Sequence, residues 1–180
     1  MKVLTIIANK FEDLELIGTV ALLRRAGINV DIATINKDKT ATGNYLTKLD
    51  NLLYLNDVDY KKYDMVFLPG GPEWVEISQS DKVIEIIKYF MDNNLYFAAI
   101  CAAPTILGKL GYLKNKKYTC FTSMNEDFQG TFIDQYCVRD HNLVTGRSPA
   151  AVIDFALLII ETLLGSKVAE NIKQSIYYYK

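Results

Sequence analysis

The chain has 180 residues, which fits a single domain spanning 1–180. With 50% hydrophobic and 12% aromatic residues it can bury a full core, and this excludes long-range disorder. Its 20 Lys and Arg nearly cancel 21 Asp and Glu, so no strong field is available to hold a polyanion and a dedicated nucleic-acid binder is not expected.

Short β-rich runs alternate with helical runs along the chain. Residues 2–8 (KVLTIIA) read as a buried strand. Residues 13–26 follow as a helix with Leu16, Ile17, Val20 and Leu23 on one face. The acids Glu12, Asp13 and Glu15 suit its start, and Gly27 suits its stop. A second strand covers 29–35. In 36–55 the turn signals Gly43-Asn44 and Asp50-Asn51 delimit one or two short edge strands. Residues 64–68 (DMVFL) form a buried strand that ends at Pro69-Gly70-Gly71. Ser80 caps a helix reaching about Asn93, with Val83, Ile84, Ile87 and Met91 inward. Residues 96–100 (YFAAI) are the next strand, stopping at Cys101, and 102–110 form a short helix ending at Gly111.

A short strand is expected at 118–121, then a hairpin of 136–139 with 143–145 turning at Asp140-His141-Asn142. Ser148-Pro149 opens the last long helix as N-cap and first-turn proline, with Val152, Phe155, Ala156, Ile159, Ile160 and Leu163 as its apolar stripe. A further helix is expected at 166–176, and the tail Tyr177-Tyr178-Tyr179-Lys180 is expected to dock on the surface.

Such alternation, with nearly continuous apolar strands, predicts an α/β fold with a mostly parallel sheet and helices on both faces. Sites in these folds lie beyond the carboxyl ends of the strands. Three places qualify: Glu12–Glu15, the Pro69–Gly71 turn and Cys101. The longest apolar stretch, within 150–164, is broken by Asp154 and Glu161 and falls short of the ~20 residues a membrane helix needs. The apolar run 3–8 is too short for a secretory leader, so a cytoplasmic protein is expected. Cys101, Cys120 and Cys137 are odd in number and include no C-x-x-C. With His141 as the single histidine, neither a disulfide framework nor a metal site is expected.

Cys101 carries the main chemical signal. The segment Ala98-Ala99-Ile100-Cys101-Ala102-Ala103-Pro104 passes from strand to helix through one residue, which lifts a nucleophile out of the sheet between small neighbours. Free N–H groups of the following helix favour thiolate over thiol. The alternative is a buried cysteine serving as a small hydrophobe. Pro69-Gly70-Gly71 is either an ordinary tight turn or a close backbone approach to a ligand, with Gly71 and Ala102 N–H as an oxyanion hole. Glu15 alone reads as a solvated first-turn acid; pointed inward, it becomes a protonated carboxyl that donates to a Cys101 thiolate.

Arg147 precedes a helix start where an anion binds, or is a surface charge. Trp74 lines the pocket mouth or joins the core, and His141 sits on an exposed hairpin tip. No G-x-G-x-x-G, G-K-[ST] or G-x-S-x-G motif occurs, so neither a nucleotide site nor a serine hydrolase is indicated.

In combination and in order, Glu12-Asp13-Leu14-Glu15, Arg24-Arg25-Ala26-Gly27-Ile28, Leu68-Pro69-Gly70-Gly71, the Cys101 segment and Thr145-Gly146-Arg147-Ser148-Pro149 resemble the ThiJ/PfpI family, in its deglycase branch, over essentially the whole chain. The resemblance implies a flavodoxin-like three-layer sandwich of the class I glutamine-amidotransferase type, a homodimer, and no cofactor. It implies Cys101 as the nucleophilic, oxidation-sensitive cysteine and Glu15 as its protonated partner. Gly71 and Ala102 match the oxyanion-binding positions. The protease-like branch has a histidine directly after the cysteine, where this chain has Ala102, which argues against a peptidase or amidase. Many deglycase-branch members have a histidine near the cysteine where this chain has Phe121.

Two functions follow from the same pocket. One is an enzyme acting on small aldehydes or ketoaldehydes, of the glyoxalase III or deglycase type. The other is a non-enzymatic redox sensor or chaperone switched by oxidation of Cys101.

Overall fold

The structure is a computed structural model that describes residues 1–178; the tail residues Tyr179 and Lys180 lie outside the described residues. The first half contains β1 (Lys2–Ile7), α1 (Asp13–Arg25), β2 (Asn29–Thr34), β3 (Ala41–Thr42), β4 (Lys48–Leu49), β5 (Leu53–Tyr54), β6 (Met65–Leu68), α2 (Trp74–Gln79) and α3 (Asp81–Asp92). The second half contains β7 (Tyr96–Ile100), α4 (Pro104–Lys109), β8 (Lys117–Tyr118), β9 (Thr131–Phe132), β10 (Cys137–Asp140), β11 (Leu143–Gly146), α5 (Val152–Leu164) and α6 (Ser166–Ser175).

Seven strands form one sheet in the order β10-β11-β7-β6-β1-β2-β5, parallel except for the β10–β11 hairpin. Successive strand residues point to opposite faces. Leu4, Ile6, Val66, Leu68 and Phe97 pack on α3 and α4 through Ile86, Ile87, Phe90, Ile106 and Leu107. Val3, Ile7, Met65, Phe67 and Ile100 pack on the opposite layer, with Leu16 and Val20 of α1, Phe155 and Ile159 of α5 and Ile172 of α6. Both faces of the central strands are therefore dry, which is why those strands read as unbroken apolar runs. The architecture is the flavodoxin-like three-layer sandwich. No helix among the described residues is long and apolar enough to cross a membrane.

Several local expectations need correction. Ile17 is 41% exposed, because α1 seats on the row formed by Glu15, Leu16, Thr19, Val20 and Leu23. In α3 the buried face is Val83, Ile86, Ile87, Phe90 and Met91, with Ile84 at its edge; Ser80 Oγ accepts the Val83 N–H at 3.5 Å. Leu163 is half-buried at the edge of the α5 stripe. Ser148 makes no side-chain capping bond, since a short 3₁₀ turn, Pro149–Ala151, stands between it and α5. The strand expected at 118–121 is only the short β8, which pairs with β9 outside the main sheet.

The segment 36–55 holds three two-residue strands. β5 joins the main sheet, whereas β3 and β4 form a hairpin whose tip is fastened to α1. There the Asp13 carboxylate accepts the N–H groups of Tyr45 at 2.8 Å and Thr47 at 3.1 Å. At the other end of the chain, the Tyr178 hydroxyl donates to Asp154 of α5 at 3.0 Å.

The helices α1 and α5 meet at Gly18, where an added Cβ would lie 2.7 Å from Val152 Cγ1. Gly18→Leu is expected to lower the unfolding free energy by about 1–3 kcal/mol through overpacking. Urea denaturation followed by circular dichroism checks this.

Candidate active site

β7 ends at Ile100, and Cys101 turns the chain with φ 61°, in the left-handed region that a residue with a Cβ rarely adopts. The turn is held on both sides. The Cys101 N–H donates to the Gly146 carbonyl at 2.9 Å, and the Cys101 carbonyl accepts the Phe121 N–H at 2.8 Å. The residue is 8% exposed, with Ala102 and Ala103 buried beside it. α4 starts at Pro104, so Ala102 belongs to the turn before the helix. The N–H groups of Ala102 and Gly71 both bond to the Cys101 sulfur.

The glycine turn after β6 is shaped by close approach. The Gly70 N–H donates to Glu15 Oε2 at 2.7 Å, and the Gly70 carbonyl accepts the Glu12 N–H at 2.9 Å. A Cβ on Gly70 would stand 2.7 Å from both Cys101 Cβ and Glu15 Oε2. Gly71 has φ +100°, and a Cβ there would be 2.5 Å from Glu12 N. Neither position accepts a side chain without moving the site.

Glu15 points inward and is completely buried. Glu12, at the N-cap of α1, accepts the Glu15 N–H at 2.7 Å and orients that first turn. Glu15 Oε1 has no hydrogen-bond partner among the described residues. Burial pushes the Glu15 carboxyl up to about 8; the Gly70 N–H opposes this, the Glu12 charge adds to it, and the Cys101 contact opposes it. Glu15 thus keeps its proton at neutral pH.

The Cys101 thiol is raised from its ordinary value, first by burial and then by the charge and hydrogen bond of an ionised Glu15, against the pull of the Ala102 and Gly71 N–H groups. The backbone N–H groups favour the thiolate, as expected, but burial and an ionised Glu15 outweigh them. Two of the three influences that raise it need Glu15 ionised, so a proton on Glu15 removes them, and the two groups are coupled.

The remaining candidates divide clearly. Phe121 is at the site, its N–H on the Cys101 carbonyl and its side chain 41% exposed. Arg147 directly follows Gly146, but its guanidinium is engaged by Asp134 at 2.6 Å and by the Tyr136 ring; the helix start expected beside it lies further on, at Val152. Trp74 packs against the core on the α3–α4 side of the sheet, with Lys109 Nζ 4.7 Å above its ring. His141 has an 88% exposed side chain, 3.6 Å from Asp140. Cys120 is fully buried, and Cys137 packs against the α1–α5 core. No group of three or more His, Cys, Asp or Glu suited to a metal occurs among the described residues.

One residue escaped sequence reasoning. Glu73 lies two positions beyond Gly71, is 1% exposed, and accepts the Ala8 N–H at 2.5 Å. Pro72-Glu73 after two glycines has the composition of an exposed turn, and nothing local marks the acid as buried.

A strained cysteine between strand and helix, backed by a buried carboxyl and two glycines, defines an α/β protein with a cysteine on a nucleophile elbow. The DJ-1/PfpI family model matches residues 1–162, and the chain belongs to that family. It is 32% identical over 177 residues to protein dj-1beta of Drosophila melanogaster, covering 96% of this chain and 95% of that one. The crystal structure of the Drosophila protein superposes with a TM-score of 0.91, covering 99% of this chain and 98% of that one. The chain is also 33% identical over 153 residues to deglycase PfpI of Pyrococcus furiosus, covering 83% of this chain and 91% of the relative. Against protein DJ-1 homolog B of Arabidopsis thaliana it is 30% identical over 167 residues, which are 91% of this chain but 38% of that longer protein.

Because the folded state holds the Glu15 proton more tightly than the unfolded chain, stability falls as pH rises from the ordinary carboxylate range, 4.5, to about 8. Glu15→Gln removes this contribution, on the order of a few kcal/mol. Between pH 5 and pH 8 its Tm, followed by scanning calorimetry, is expected to drop less than that of the wild type.

Proposed function

We propose that the protein is a cofactor-independent enzyme for small reactive carbonyls, of the glyoxalase III or deglycase type, working in the cytoplasm with Cys101 as nucleophile and Glu15 as acid and base. The observation that supports this best is the convergence on one sulfur of a proton-bearing carboxyl and two backbone N–H groups. With methylglyoxal, the thiolate sulfur bonds to the aldehyde carbon as the carbonyl π bond breaks, and the proton held by Glu15 passes to the aldehyde oxygen, giving a hemithioacetal and an ionised Glu15. Gly71 and Ala102 N–H stabilise the charge on that oxygen as it develops.

Glu15, ionised by that transfer, takes the proton from the first carbon and returns it to the second, while the hydroxyl proton moves from the first oxygen to the second, leaving a thioester of lactate. Water then cleaves the thioester, releasing lactate and the Cys101 thiol. Carbon, hydrogen and oxygen balance with one water consumed, and no external oxidant is needed. Peptide or amide cleavage is disfavoured, since Ala102 follows the cysteine and the His141 side chain is at an exposed tip.

The same reading includes a homodimer. Leu14, Ile17, Tyr45 and Leu46 are 54%, 41%, 70% and 77% exposed, and the Asp13 carboxylate brings the hairpin tip to this end of α1. An apolar group of this kind favours a second protein surface over water.

Methylglyoxal consumption with lactate detection, without glutathione, tests the enzyme. The wild type is expected to turn over many times, Cys101→Ser to lose at least about 100-fold in rate, and Glu15→Gln to lose about 10²–10⁴-fold as an acid–base residue. Stoichiometric oxidation of Cys101 by peroxide with no carbonyl turnover would favour the redox-sensor function instead. Sedimentation velocity tests the dimer: the wild type is expected to sediment at twice the chain mass, and Leu14→Glu combined with Leu46→Glu as a monomer.

A further inference from the structure

Cys101 and Glu15 are not the only reactive groups buried at this end of the sheet. Glu73 is 1% exposed, and carboxylates are almost never buried to this degree without a paired charge. The ion pairs of the described residues all lie elsewhere. The charged groups acting on Glu73 are themselves acids, Glu15 from α1 and Glu76 from α2, and Glu15 in turn faces Glu12 and Cys101. Glu73 Oε2 accepts the Ala8 N–H just beyond β1, and Glu73 Oε1 has no partner among the described residues.

The placement of these bonds has a consequence for the site. Ala8 N–H to Glu73 Oε2 is one of three bonds that join the loop 8–12 to the turn 70–73. The others are Glu73 N–H to the Lys10 carbonyl, 3.3 Å, and Glu12 N–H to the Gly70 carbonyl, 2.9 Å. Gly71 is pressed between them, with its Cβ position 2.7 Å from the Lys10 carbonyl oxygen. One loop leads directly into Glu15; the other supplies the Gly71 N–H on the sulfur.

We propose that Glu73 is a positioning residue of the Cys101 site, clamping the loop after β1 onto the Gly70-Gly71 turn and so fixing the Glu15 carboxyl and the Gly71 N–H around the sulfur. The proposal rests on the proposed function, in which Cys101 is the reactive thiol. A neutral carboxyl suits this position because it offers a carbonyl oxygen to Ala8 N–H and carries its proton on the unpartnered oxygen. Burial pushes Glu73 well above the ordinary carboxylate range, the Ala8 N–H opposes this, and the charges of Glu15 and Glu76 add to it. Loss of the clamp admits water to Glu15, which then ionises more readily. An ionised Glu15 in turn disfavours the thiolate.

The test is the rate of Cys101 alkylation by iodoacetamide from pH 5 to pH 10, read by mass spectrometry on the full chain. Glu73→Gln keeps a neutral group and the acceptor for Ala8, and it is expected to retain the wild-type rate and pH profile. Glu73→Ala is expected to react about tenfold more slowly at pH 7, with its rise moved about one unit to higher pH. Where the alanine variant does not fold, Glu73→Asp, one methylene too short for Ala8, is read in the same way. A folded alanine or aspartate variant with the wild-type rate and profile would overturn the proposal. So would a folded glutamine variant as slow as the alanine one. If wild-type Cys101 reacts no faster than buried Cys120, the reading of Cys101 as a reactive nucleophile falls first and the proposal with it.

Discussion

The hydrogen bond from the Gly70 N–H to Glu15 Oε2, 2.7 Å long and shielded from water, ties together parts of the chain that are 55 residues apart. It joins the first turn of α1 to the end of β6, and the cysteine elbow of β7 packs against both. A carboxyl that accepts one amide, faces no cation and meets no solvent holds its proton. That proton spares the neighbouring sulfur the repulsion of an ionised Glu15. The parallel sheet is what brings these groups together, because β1, β6 and β7 are adjacent and all end on the same edge.

Side-chain volume is excluded wherever the groups meet. Gly70, Ala102 and Ala103 surround Cys101, and the strained φ of the cysteine is maintained by bonds to Gly146 and Phe121 on either side. The cysteine turn is therefore held by backbone on both sides. Backbone donors cannot rotate away, so the geometry around the cysteine is fixed in advance.

The central strands were legible in the sequence because a parallel sheet covered on both faces demands unbroken apolar runs, as in Leu4–Ile7 and Met65–Leu68. The elbow was legible because only small residues pass such a turn. The short elements were not. A two-residue ladder such as β8–β9 leaves no periodicity, and α2 buries one residue, Ile77. The acids divided for a different reason. Glu12, Asp13, Glu15 and Glu73 look alike in sequence, yet one caps a helix, one fastens a hairpin and two are buried. Their fates are set by which loops meet in space. The resemblance to a family brought Glu15 forward, and nothing in the sequence did the same for Glu73.

The bond from the Phe121 N–H to the Cys101 carbonyl ties the segment after β8 to the cysteine elbow. Phe121 thus shares a backbone link with a residue held at φ 61°, while it is itself 41% exposed. The elbow is thereby braced from outside the main sheet as well as from within it, because Gly146 belongs to β11 and Phe121 lies beyond β8.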